Sequence, residues 1–158
     1  MHVRDAQDED RDAIRQVVAA AFGRTDEADL VDQLHRDGAG VVELVAEDEG
    51  AVIGHVLLSR MRAPFPALGL APVAVIPARQ GRGVGSALIR EAIRRARLTD
   101  AVAIFVLGDE TYYGRFGFDV AAAAGFACRF SGPHFAVLPL TPPLPVLTGE
   151  VAYASAFD

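Results

Sequence analysis

Residues 79–86 read "RQGRGVGS", with glycines at 81, 83 and 85 and polar or cationic side chains between them. A glycine lacks Cβ, so its backbone reaches positive φ and lets a ligand approach closely. An apolar run, "VAVI", stops at Pro77 just before this loop, and a helical spacing of Leu88, Ile89, Ala92, Ile93 and Ala96 starts just after it. The first amides of a helix have no partner within the helix and carry partial positive charge. A turn with almost no side chain, placed at such a helix start, is a cradle for phosphate. Gln80, Arg82 and Ser86 add donors around the same point.

Phosphate loops differ in their spacing. A P-loop requires Lys-Ser/Thr after its last glycine, whereas Gly85 is followed by Ser86-Ala87. The dinucleotide fingerprint requires Gly-x-Gly-x-x-Gly after a first strand, whereas these glycines alternate, position 86 is Ser, and the loop lies deep in the chain. Asp109 stands after the following apolar run, at about the separation of a ribose-binding acid, which leaves a nucleotide-binding oxidoreductase as a competing reading. The net charge of −6 argues against nucleic acid or an anionic membrane as partner. Against that acidic background, residues 79–97 hold Arg79, Arg82, Arg90, Arg94, Arg95 and Arg97 with Glu91 as the only acid. The last three suit the negative end of a helix dipole. Arg79 and Arg82 precede the helix and remain for an anion.

Periodicity supplies the elements that hold this loop. "HVRDA" suits an edge strand. Residues 8–22 place Ile14, Val17, Val18, Ala21 and Phe22 at helical spacing, with Asp8 or Asp10 as cap and Gly23 as stop. Residues 27–36 repeat the pattern with Leu30, Val31 and Leu34, ended by Gly38. "VVELVAEDEGAVIGHVLLSRM" reads as a hairpin around "EDEG". A strand over 69–76, a helix over 83–98, and a continuous apolar strand in "AVAIFVLG" follow. A short helix over 110–116 and late strands in "FACRF", "HFAVLPL" and "VAYASAF" complete the chain. This order predicts a mixed α/β fold, a strand meander preceding a strand–loop–helix–strand unit. The length of 158 residues predicts a single domain, 1–158, and the 51% apolar content predicts that it folds. No apolar run reaches the ~20 residues of a membrane span, and "MHVRDAQDEDRD" lacks the apolar core of a signal peptide. A cytoplasmic location is the expectation. Cys128 is the only cysteine, which excludes an internal disulfide and a cysteine metal cluster; it reads as a small buried apolar residue.

The stretch "VAVIPARQGRGVGSALI" resembles the acetyl-coenzyme A motif of the GNAT superfamily of N-acetyltransferases, Gln/Arg-x-x-Gly-x-Gly/Ala after a strand, with Gln80, Gly83 and Gly85 in those positions. "VLGDETYYGRFGF" resembles the family's Tyr-x-x-x-Gly-Phe block, with Tyr113, Gly117 and Phe118. "YYGRFGF" and the ending "FAVLPL" through "GEVAYASAF" are similar to a bacterial YhbS-like subgroup. The resemblance implies a mostly antiparallel central sheet with helices on both faces and a splayed pair of strands at the cofactor. It implies acetyl-coenzyme A as cosubstrate, no metal, a small-molecule or peptide amine as acceptor, direct attack, and a homodimer as one assembly. The main chain of Ala74, Val75 and Ile76 then pairs with the pantetheine arm. Gln80, Gly81, Arg82, Gly83, Val84, Gly85 and Ser86 bind the diphosphate, and Arg79 or Arg82 reaches the ribose phosphate. Pro77 either turns the cofactor or merely ends the strand. Tyr113 matches the family's general acid, since a phenol with an ordinary pKa of about 10 is protonated at neutral pH. Tyr112 packs or lines the substrate pocket.

The chain departs from the family pattern at the base. "ALGLAPVAV" carries no acid where many members have Glu, and Leu107-Gly108-Asp109 stands where an Asn is frequent. Glu43, His55, Ser59 and His134 are candidates, alongside a water relay or an amine that arrives neutral. A non-catalytic acyl-coenzyme A sensor is therefore the alternative. For the acceptor, Asp26, Glu27 and Asp29 suit a cationic amine, with the segment "SGPHF" on the other side.

Overall fold

A computed structural model describes all 158 residues. Strand β1 (His2–Asp5) leads through a short 3-10 turn into α1 (Arg11–Phe22) and α2 (Asp26–Arg36). Asp10 anchors this entry rather than acting as a simple cap. Its carboxylate accepts the Gln7 N–H at 2.7 Å and two bonds from the Arg4 guanidinium at 2.7 and 3.0 Å. The Arg4 contact holds its pKa below the ordinary value. Gly23 ends α1 at φ 69°.

The hairpin β2 (Gly40–Asp48) and β3 (Ala51–Met61) turns through Glu49 and Gly50 at φ 51° and 78°. Next come β4 (Ala67–Val75), α3 (Val84–Ala96), β5 (Ala103–Leu107), α4 (Glu110–Gly114), α5 (Val120–Ala123), β6 (Phe126–Ala127), β7 (Phe135–Pro139) and β8 (Gly149–Glu150). The main sheet runs β1-β2-β3-β4-β5-β7, antiparallel except for the parallel pair β4/β5. The expected mixed fold is present. No helix is long and apolar enough to cross a membrane.

Alternation along the strands sends side chains to two layers. Leu44, Val56, Leu58, Leu68, Leu70, Ile104 and Val106 pack with Leu88, Ile89, Ala92 and Ile93 of α3. Val45, Leu57 and Ala74 pack on the other face against Ile14, Val18, Val31 and Leu34 of α1 and α2. Beside them, Phe65, Phe105, Phe126 and Phe135 form an aromatic core under the C-terminal segments.

The feature that positions the site is the parting of β4 from β5. The two pair only over Ala67–Leu70 against Ala103–Val106. At that point β4 also carries a bulge against β3: Leu70 faces Leu58 and Val73 faces Val56, so Ala71 and Pro72 together stand opposite Leu57. Pro72 offers no N–H to a neighbour. A bulge bends its strand and increases local twist, which carries β4 away from β5. Gly69 lies within the paired part because a Cβ there would stand 2.5 Å from the Tyr153 ring.

Late in the chain the expected strands shrink. "FACRF" contributes only two strand residues, and these pair with β8 rather than with the main sheet. "VAYASAF" makes one bridge, Arg62 with Ala152, then a 3-10 turn at Ser155–Phe157. Cys128 is half-exposed rather than buried.

Candidate functional site

The chain leaves β4 through a single turn of 3-10 helix, Pro77–Arg79, whose first residue is the proline. Pro77 therefore ends the strand by starting this turn. Gly81 and Gly83 follow at φ 74° and 84°, and Gly83 caps α3. No atom lies within 4 Å of where their Cβ atoms would be. The amides at the head of α3 thus open on clear space, and the arrangement fits a diphosphate. They line a cleft of about 410 Å³ together with Val75, Arg79, Tyr112 and Arg115.

Several side chains lie elsewhere than the sequence suggests. Gln80 turns inward, its Nε2 donating to the Val75 carbonyl at 2.9 Å. It braces the loop against the strand and takes one of the two acceptor positions of that carbonyl. Arg79 is tied to Asp48 at the hairpin end, leaving Arg82, exposed and without an ion pair, as the loop's available cation. Ala74 is buried with its side chain in the α1/α2 core, and its carbonyl points to β3, where it lies 3.2 Å from the place a Cβ on Gly54 would take.

Tyr112 joins the phosphate end of the cleft. Its hydroxyl lies so close to Gly85 that a Cβ there would be 3.2 Å from it. The Arg115 guanidinium stacks over the Tyr112 ring, 4.8 Å from its centroid. Sequence reasoning missed Arg115, although its place three residues after Tyr112 on a helical turn was a signal.

Asp109 caps α4, accepting from Thr111 N at 2.8 Å and Tyr112 N at 3.1 Å. Helix capping accounts for an acid at this position without a ribose, which weakens the support for a dinucleotide site. Tyr113 then lies flat on Gly108, where a Cβ would come within 2.4 Å of its ring. Burial, with a smaller contribution from Tyr112, pushes its pKa up to about 12. The phenol is protonated throughout the neutral range, and its ring packs between Gly108, at the end of β5, and Phe118.

Of the base candidates, Glu43 and His55 meet each other. His55 Nε2 lies 2.8 Å from Glu43, which also takes a bond from Arg11. Burial raises the Glu43 pKa, but the His55 and Arg11 bonds outweigh it and the net shift is downward. The ionised carboxylate accepts, so His55 donates through Nε2; His55 is wholly buried. Ser59 is also fully buried, and its hydroxyl has no partner. His134 alone is exposed, and its carbonyl accepts the Gly108 N–H at 2.9 Å at the end of β5. The acidic start of α2 is only partly neutralised: Arg24 serves both Glu27 and Asp26, and Arg15 serves both Asp29 and Asp32.

The Arg11–Glu43–His55 cluster is structural, and its removal has a defined cost. Glu43→Ala leaves a guanidinium and an imidazole without their shared anion. Breaking a fully buried pair costs about 3–5 kcal/mol. The Glu43 side chain keeps 18% of its surface in water, so the expected loss in chemical denaturation is roughly 2–3 kcal/mol. Because the folded pKa of Glu43 is depressed below 4.5, its contribution is present above that pH and fades as pH falls through the folded value. The difference between wild type and Glu43→Ala therefore narrows in acid; a constant difference down to pH 3 would contradict the assignment.

The description "Acetyltransferase (GNAT) family" belongs to a family model that matches residues 7–118. A protein of Escherichia coli K12 described as the uncharacterized N-acetyltransferase YjhQ is 43% identical over 129 residues, covering 77% of this chain and 70% of that one. The crystal structure of E. coli YhbS in complex with CoA superposes with a TM-score of 0.91 at 32% identity, covering 99% of this chain and 91% of that one. A GNAT family acetyltransferase from Brucella melitensis in complex with acetyl-CoA gives 0.85 at 38% identity, with coverage of 99% and 97%.

Proposed function

Since this chain belongs to the acetyltransferase (GNAT) family, we propose that it moves an acetyl group from acetyl-coenzyme A to a primary amine by direct attack. The observation that carries this reading is the placement of the open glycine turn at the free end of β4, where that strand has left β5. The amides of residues 81–86 hold the diphosphate. Arg82 and Arg115 supply positive charge for the phosphates, and the Tyr112 hydroxyl adds a donor. The unpaired edge of β4 around Ala74 to Ile76 receives the pantetheine arm through the main chain.

The amine nitrogen attacks the thioester carbonyl carbon. A C–N bond forms, the C–S bond breaks, and sulfur leaves with the electron pair. Tyr113 donates its proton to that sulfur. Burial keeps this phenol protonated at neutral pH, the state that donates, while its pKa of about 12 makes it a weaker acid than the thiol it forms, so the proton moves in concert with C–S cleavage. Glu43 and His55 are committed to each other, so the proton lost by the amine passes to solvent, with His134 the one base candidate exposed enough to relay it.

Coenzyme A at about 100 times its dissociation constant is expected to stabilise the fold by about 2.7 kcal/mol in scanning calorimetry. Thiol release from acetyl-coenzyme A in the presence of a panel of amines completes the test. A non-catalytic acyl-coenzyme A sensor is the second reading, favoured by the locked Glu43–His55 pair. Stabilisation without thiol release from any amine would establish it instead.

A further inference from the structure

Where β4 and β5 part, a second and smaller pocket opens beneath the C-terminal segment. It has a volume of about 140 Å³ and is lined by Leu70, Ala71, Leu107, Phe130, Tyr153 and Phe157. Phe130 and Phe157 flank the Tyr153 ring at centroid distances of 5.7 and 5.2 Å. Leu107 is followed directly by Gly108, on which Tyr113 rests, so the pocket adjoins the proposed acid. Tyr113 adds a small contribution, after burial and Cys128, to the raised pKa of Tyr153.

Two properties define what this pocket accepts. First, its walls are hydrocarbon and aromatic, with no carboxylate among them. An apolar cavity of about 150 Å³ takes a benzene ring, so this one matches a phenyl or a branched alkyl group. Second, Tyr153 is only 5% exposed, and its hydroxyl has no hydrogen-bond partner in the protein. Buried hydroxyls are almost always paired, so this closed-off, unpaired hydroxyl on a tyrosine that lines the pocket is one that a bound ligand's polar atom can satisfy after a small shift of the ring.

Resting on the acetyl-transfer reading above, we infer that the acceptor is a compact apolar primary amine, of the arylalkyl or branched alkyl kind. Its hydrocarbon part fills the pocket and its nitrogen donates one N–H to the Tyr153 oxygen. Donation of N–H, rather than acceptance at nitrogen, leaves the lone pair directed at the thioester carbonyl. A polycationic acceptor lacks a counterpart within the pocket, whose lining has no acid.

The test compares 2-phenylethylamine, methylamine and spermidine as acceptors with acetyl-coenzyme A, measuring coenzyme A stabilisation and amine binding by calorimetry on the same protein. The expected result is a kcat/KM for 2-phenylethylamine about tenfold or more above the other two. Tyr153→Phe keeps the ring and removes only the hydroxyl; it should raise KM for 2-phenylethylamine about tenfold and leave coenzyme A stabilisation intact. Leu107 is 44% exposed, so Leu107→Trp tolerates the added bulk while blocking the pocket mouth. It should abolish calorimetric binding of 2-phenylethylamine to the coenzyme A complex. Preference for spermidine would overturn the inference and leave acetyl transfer standing. Faster transfer of a butyryl than an acetyl group to methylamine would also overturn it, assigning the pocket to the acyl chain. Absence of any coenzyme A stabilisation would instead overturn the transfer reading on which it rests.

Discussion

Gly83→Glu eliminates the stabilisation by coenzyme A. The residue sits at φ 84° at the head of α3, and the space where a side chain would project is empty to 4 Å. That space is the one assigned to the diphosphate. A glutamate there occupies it and puts a negative charge against the amides that would receive the phosphates. The whole shift of about 2.7 kcal/mol expected at 100 times the dissociation constant should vanish. Part of any effect on the unliganded protein comes from the backbone, because a side chain in the left-handed region costs about 1–2 kcal/mol. Gly83→Ala separates the two contributions: it carries the backbone cost without the charge and should retain most of the coenzyme A shift. An undiminished shift in Gly83→Glu would move the phosphates elsewhere in the molecule.

Tyr113→Phe should lower kcat by about 10²–10⁴-fold, the span of a lost general acid, with little change in the KM for acetyl-coenzyme A. The phenylalanine ring keeps the contact with Gly108, so the melting temperature should hold. The pH dependence adds an independent check. An acid fails as pH rises through its pKa, and burial has moved this one from 10.0 to about 12. Wild-type kcat should therefore show no fall attributable to this proton near pH 10. An alkaline limb centred there and absent from Tyr113→Phe would mean that the phenol is solvated during turnover, contrary to its packing.

How much of this was legible in the sequence differs by element. The helices 11–22, 26–36 and 84–96 announce themselves because each presents a continuous apolar stripe bounded by glycine or by polar residues. The glycine turn was legible because its geometry depends on the absence of side chains, a local property. The C-terminal segment misled because "VAYASAF" alternates like a strand, but Tyr153 and Phe157 use that alternation to wall a pocket. The helix 120–123 is too short to show a period. Partnerships across the fold were invisible for a different reason. Glu43 lies opposite Leu57, so its contact with His55 is diagonal and depends on a register fixed between bulges. In the same way, nothing local tells that Gln80 bends back on Val75, that Asp48 claims Arg79, or that Tyr112 reaches Gly85.

The bond from Gln80 to the Val75 carbonyl bears on how tightly the donor substrate is held. It spans five residues and welds the glycine turn, proposed to receive the diphosphate, to the last residue of β4, proposed to take the thioester arm. The two halves of the receptor then behave as one caliper of fixed opening, set before any substrate arrives. Ordering entropy that a slack turn would lose on association is already absent, which favours affinity. Gln80→Ala should accordingly weaken coenzyme A by loosening the jaws, an effect carried through the bond to the strand.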